Sequence, residues 1–361
     1  SNSGTFNINS GGTANFAGSI SSNTGTININ GSGALSSGIT STGASTLQFG
    51  TSSSQTAAAA NFTTAGAISG IPTVRLLTSG TTLNAQHSIS NVNTLFSIAS
   101  STTANLTAGT FGGSGTVNNS GTININSGTL SMTGGTTNSG TINMSTNYTP
   151  NTITSNTGTI NVNGGTLTLG SITANTGTIN VNGSGAISGT LTGSNTASLN
   201  IGTSSTSGVT PVATSFTTGG GITIPIVTTN TNGTSVSVQN SISISNRLTV
   251  ASGTTINIIA SGSFTGAGTV NNSGTISISS GPFNMAGALT NSGTINIGNT
   301  YTPPSDMGNN TGIININSGG VASGNLFTAG GTININRATG AVTGTISGSG
   351  AAKLQIGTST S

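Results

Sequence analysis

The sequence predicts an all-β chain folded as a parallel β-solenoid, and three observations carry that expectation. A seven-residue phrase of the type Asn-Thr-Gly-Thr-Ile-Asn-Val returns along the chain at almost fixed intervals. Within each phrase, apolar and polar residues alternate. The composition, with 58 glycines, 1% charged residues and 3% aromatic residues in 361, fits neither an amphipathic helix nor an ordinary charged globular surface.

The phrase begins at Asn119, Asn138, Asn156 and Asn175, in steps of 19, 18 and 19 residues. It returns at Asn272, Asn291, Asn310 and Ala329 in three steps of 19, and two earlier copies start at Asn2 and Asn23, 21 apart. A larger period overlies the short one: Asn119 to Asn272 is 153 residues and Asn156 to Asn310 is 154. LQFGTSS, LNIGTSS and LQIGTST, at Leu47, Leu199 and Leu354, keep nearly the same offset. The chain therefore reads as one continuous solenoid over 1–361. Its coils are regular over 1–54, 119–206 and 272–361, and less regular, with longer loops, over 55–118 and 207–271. At about 19 residues per coil, about 19 coils are expected.

One unit shows how a coil is built. In Thr159–Asn163, Ile160 and Val162 point one way, while Thr159, Asn161 and Asn163 point the other. Gly164 and Gly165 then turn the chain, Thr166–Leu169 alternates again, and Ile172 precedes the corner at Asn175. Gly158 and its equivalents permit a corner that a Cβ would obstruct. Such short strands bury an apolar face only by stacking on copies of themselves. The expected inner column contains Ile123, Ile125, Ile142, Met144, Ile160, Val162, Ile179 and Val181, with Asn124, Asn143, Asn161 and Asn180 as an outer amide ladder. Like charges stacked about 4.8 Å apart would repel, so a stacked fold explains the near absence of Asp, Glu and Lys.

The same composition limits the chemistry. Asp306 is the single carboxylate and His87 the single imidazole, so neither a carboxylate pair nor a triad is available in this sequence, and no cysteine offers a thiolate. We expect no enzymatic activity, no cofactor and no metal site. Arg75, Arg247, Arg337 and Lys353 are scattered and replaced by small neutral residues in the other copies, which argues against a nucleic-acid footprint. No apolar run reaches the length of a membrane span, so no membrane insertion is expected of this segment. Tyr148 and Tyr301, each followed by Thr-Pro, are expected at a loop corner. Prolines there keep the loop out of the strand ladder, and a carbohydrate-stacking surface is the functional alternative.

Over NYTPNTITSNTGTINVNGGTLTLG the text resembles the passenger repeats of bacterial autotransporters, and its coil length is similar to that of filamentous-haemagglutinin-type secreted adhesins. The resemblance implies a right-handed parallel β-helix outside a bacterial cell, used in adhesion, biofilm or cell contact. A Pro follows Tyr-Thr where autotransporter repeats usually carry Gly. The functional expectation is a secreted structural solenoid that associates end to end with itself through uncapped coils, supporting surface attachment or biofilm. The alternative is an adhesin displaying loops to glycans or cell surfaces. A remote third is an ice-binding face, which the Thr-x-Asn outer row suits poorly.

Overall fold

The computed structural model describes residues 2–9, 20–35, 37–146, 152–164, 166–167, 171–183, 186–304, 307, 309–317, 319–336 and 341–357. Among the described residues there is no helix. Short strands stack in parallel as a β-solenoid of about 16 turns, roughly 20 residues apart, somewhat fewer than the sequence suggests because loops lengthen several coils. The chain forms two compact units, Ser1–Ala174 and Asn175–Ser361.

In the first unit a coil has three strand positions, hence three faces. One coil runs through Thr26–Ile29, Gly33–Leu35 and Ile39–Ser41 before Thr46–Phe49 returns to the first face. On each face, strands pair only with their counterparts one coil above and below, as in Thr26↔Thr46, Ile27↔Leu47, Asn28↔Gln48 and Ile29↔Phe49. Alternation buries every second side chain. Ile123, Ile125, Ile142 and Met144 are fully buried, with Ile160 and Val162 continuing the column. In the second unit Ile179 and Val181 are likewise buried, above which Leu199 and Ile201 stack in register. The apolar column is the core, one side chain wide on each face, and like over like satisfies packing and backbone pairing together.

Aromatic side chains fill the interior where the aliphatic repeat is interrupted. Phe96 and Phe111 stack at 3.9 Å between ring centroids, and in the second unit Phe264, Phe283 and Tyr301 follow one another at 5.9 Å steps. The segments read as less regular still form paired strands. Ile222–Thr229 and Ser241–Val250, 8 and 10 residues long, are the longest described strands, each spanning two faces with a register shift at the corner.

The glycine of each phrase stands where one coil rests on the backbone of the coil below. A Cβ on Gly140 would lie 2.1 Å from the carbonyl oxygen of Gly121. The requirement is this close approach, since Gly140 does not have a positive φ. The N–H groups of Ser139 and Gly140 both donate to the Asn119 carbonyl, at 2.8 and 3.1 Å, which seats one corner on the next.

The large repeat and the coil do not share a period. In the first unit, pairing carries Phe6 through Ile27, Leu47, Val74, Phe96, Val117 and Thr136 to Ile153, seven coils and 147 residues on. The sequence equivalent of Phe6 is Ile160, 154 residues on, in the next strand, Thr159–Val162. The second unit repeats the relation. Val181 climbs through Ile201, Thr229, Val250, Asn272 and Asn291 to Asn310, which hydrogen bonds to Thr328, again 147 residues on. Its sequence equivalent, Ile335, lies 154 residues on in the next strand, Thr332–Ile335. In both units the large repeat equals seven coils plus one face, so its motifs advance by one face per copy.

Candidate functional site

Chemistry in this chain is carried by amides in two kinds of ladder. The outer ladder is the one the alternation predicts. Asn105, Asn124, Asn143 and Asn161 each donate through Nδ2 to the Oδ1 of the asparagine below, at 2.8, 2.7, 2.7 and 2.8 Å. In the second unit Asn200 donates to Asn180 at 3.0 Å, and Asn315 and Asn334 continue the pattern at 2.8 Å each. An amide both donates and accepts, so a column of them satisfies itself without charge.

The inner ladder was not read from the sequence. The first asparagine of each phrase, taken as part of a corner, points into the molecule. Asn119 donates to Asn138 and Asn138 to Asn156, both at 2.7 Å; Asn272 to Asn291 and Asn291 to Asn310 repeat this distance in the second unit. Asn138, Asn156 and Asn291 are fully buried, and the Nδ2 of Asn138 and of Asn291 also reaches a backbone carbonyl. Its amides point up the stack and those of the outer ladder down. The signal was present in the text: an asparagine at position one in every regular phrase but the one at Ala329, where a solvent-exposed corner would accept Ser, Asp or Gly as well.

Two loops fold back over the outer face. After Thr46–Phe49 the next coil takes 27 residues to return at Val74, opposite Leu47, and after Ser198–Ile201 it takes 28 to return at Val227, opposite Leu199. In the first loop Asn30 donates to the Thr56 carbonyl at 2.9 Å and accepts from the Ala58 N–H at 2.6 Å. In the second, Asn182 donates to the Thr210 carbonyl at 3.2 Å and accepts from the Val212 N–H at 2.7 Å. Each amide reads a carbonyl and an N–H two residues apart, as a β-strand neighbour would. Covered in this way, Asn28 and Asn180, which the sequence places on the outside, are buried, and Asn161 is buried as well.

The tyrosine corner is corrected. Tyr148 lies outside the described residues. Tyr301 is fully buried, with its ring against Phe283 and its hydroxyl without a partner, and burial raises its pKa well above the ordinary phenol value. It occupies an inward rung opposite Phe283, because alternation outweighs the loop signal of Thr-Pro-Pro that follows. It presents no surface for a sugar ring.

The charged residues do not assemble. Among the described residues no group of three His, Cys, Asp or Glu side chains is gathered, and His87, Arg247 and Lys353 are exposed. Asp306 and Arg337 lie outside the described residues. Among the described residues no helix is long and apolar enough to cross a membrane.

Exposed large apolar side chains are scattered among the described residues, at Leu77, Val212 and Ile313 as well as at Phe6, Leu354 and Ile356. Leu354 and Ile356, in Lys353–Ile356, are 50% and 72% exposed, whereas Ile314 and Ile316 two coils below are fully buried. Phe6, in Thr5–Ile8, is 39% exposed. No family model matches this chain, and the searches of curated proteins and of solved structures return no match.

Proposed function

We propose that this chain is a structural β-solenoid of an extracellular fibre at a bacterial surface, whose copies associate end to end and support attachment or biofilm. The observation that carries this reading is like-over-like stacking: each strand pairs in parallel register with its counterpart one coil away, as Thr122–Ile125 does with Thr141–Met144, so a second copy of the chain offers the same rungs that the coils offer one another. The ladders support the same role, since uncharged amides and hydroxyls stacked on themselves hold a shape and leave no acid, base or metal ligand set to act on a substrate. The chain is accordingly read as non-enzymatic, without cofactor or nucleic-acid partner, and the likeness of its repeats to secreted bacterial β-helices points outside the cell.

The pinned loops favour a second reading, in which the solenoid displays Thr51–Ala58 and its counterpart near Thr210 to glycans or cell surfaces. Electron microscopy and sedimentation of the purified 361-residue chain test the first reading. Filaments lengthening with protein concentration are expected. A monodisperse monomer at high concentration overturns it, and binding on a glycan array that is lost when Thr51–Ala58 is replaced favours the second.

A further inference from the structure

We infer that the outer groove beside Gly298 binds an extended, uncharged peptide segment of another polypeptide, rich in serine and threonine, in the way that this chain holds its own two loops. The site belongs to a single solenoid and does not require copies to join into a fibre.

Two neighbouring outward columns form the groove. In the phrases that begin at Asn272, Asn291 and Asn310, the sixth residues are Ser277, Asn296 and Asn315, and the eighth are Ser279, Gly298 and Asn317. These side chains and Ile278 line a space of about 370 Å³. Gly298 opens it, because the eighth residue of every other phrase is Asn or Ser. Its φ is not positive, and a Cβ there would lie 3.2 Å from the Ile278 carbonyl oxygen, so a small shift admits a side chain and the backbone does not demand glycine. The amides are only partly spent. Asn315 donates to Asn296 at 2.8 Å, and Asn317 accepts from Asn336 at 3.0 Å while the N–H bonds of its own amide stay uncommitted among the described residues. No ionisable side chain lines the groove, which matches an uncharged occupant.

The chain shows what these two columns hold. Asn7 and Asn9 are the sixth and eighth residues of their phrase, as Asn315 and Asn317 are of theirs, and with Asn30 they carry the loop after Thr46–Phe49. Asn7 Oδ1 accepts from the Ser53 N–H at 3.2 Å while it also accepts from Asn28 Nδ2 at 2.9 Å, so a place in the ladder does not exhaust an amide. Asn9 Oδ1 accepts from the Ser52 hydroxyl at 2.9 Å, and Asn30 takes the Thr56 carbonyl and the Ala58 N–H. Asn182, also an eighth residue, does the same with Thr210 and Val212. Those loops belong to coils of 27 and 28 residues. Thr275, Thr294 and Ile313 stack at intervals of 19, the length of a coil without such a loop, so the segment that fills this groove comes from another polypeptide.

The probe is a synthetic peptide with the sequence of Thr51–Ala58, titrated into the whole isotope-labelled chain and followed by nuclear magnetic resonance. Saturable shifts of the Asn315 and Asn317 side-chain amide signals are expected. Gly298→Asn continues the eighth column across the groove, and Asn317→Ala removes the uncommitted amide. Each variant, folded by its circular dichroism, is expected to bind the peptide about fivefold more weakly or worse, the loss of one net hydrogen bond. The same peptide with methylated backbone nitrogens is expected to lose a similar factor, because the loops are held partly through their N–H groups. Absence of a saturable shift at millimolar peptide, or affinity unchanged in both variants, overturns the site. Cellobiose that shifts these amides where the peptide does not overturns it as well, since the groove would then take a sugar.

Discussion

Replacing Asn291 with alanine tests whether the buried amide ladder holds the coils together. Asn291 is fully buried, accepts from Asn272 Nδ2 at 2.7 Å, and donates to Asn310 Oδ1 at 2.7 Å and to the Ile313 carbonyl at 3.4 Å. Alanine removes two short amide–amide bonds, each worth about 1 kcal/mol net, and strands the Oδ1 of Asn310 in the interior at a further cost of about 1–3 kcal/mol. Asn272 Nδ2 is spared part of the loss because it also reaches the Thr294 carbonyl at 3.2 Å. The expected destabilisation of this coil is therefore about 3–5 kcal/mol. A solenoid opens coil by coil, so a global unfolding midpoint would dilute the effect, and native-state amide hydrogen exchange reads it where it occurs. The N–H groups of Thr311 and Gly312, which donate to the Asn291 carbonyl at 2.9 and 3.0 Å, are the reporters. Their exchange should accelerate by about two to four orders of magnitude. The exposed neighbour Ser292, changed to alanine, should alter it by less than about threefold. Acceleration below tenfold in the Asn291 variant, or equal in the two variants, would refute the argument that the inner ladder carries this stability.

Three further outcomes follow from the same geometry. Tyr301→Phe deletes a hydroxyl that is buried without a partner and should stabilise the second unit by about 1–3 kcal/mol in urea unfolding; a loss of stability would show that the hydroxyl is bonded after all. The folded pKa of Tyr301 is raised by burial, so its contribution to stability is complete below the unfolded phenol value of about 10 and falls as pH rises beyond it. With four Lys and Arg, one carboxylate and one His in the chain, the urea midpoint should change little between about pH 5 and 9 and then drop; a steep change near neutrality would contradict this. Asn30→Ala and Asn182→Ala each remove both bonds that pin a loop, and limited proteolysis should then cut within Thr51–Ala58 or near Thr210 at least tenfold faster while the strands stay resistant. Equal cleavage rates would mean that the loops are held by other contacts.

Much of the fold was legible because a solenoid is locally determined. Period two says which side chains turn in, and Ile160 and Val162 do so. The requirement that a residue stack on its own kind explains both the missing charges and the outer ladder through Asn124 and Asn143. Glycine in each phrase marked a close approach, which the distance from Gly140 to the Gly121 carbonyl makes explicit. The inner ladder was less legible, since an asparagine before glycine has the same local signature whether its amide turns out to a corner or in to a column.

What the sequence by itself determined is thus the winding and its chemistry: short parallel strands, apolar within, amide and hydroxyl without, and almost no titratable group. The tertiary structure alone decided where each motif falls around the winding. Seven coils consume 147 residues and the large repeat 154, so equivalent phrases land on successive faces. The same closure laid two loops across the outer asparagines. The physical reason is that a face is assigned by the summed length of every strand and loop before it. Local alternation fixes inside from outside, and only the closed coil fixes which side.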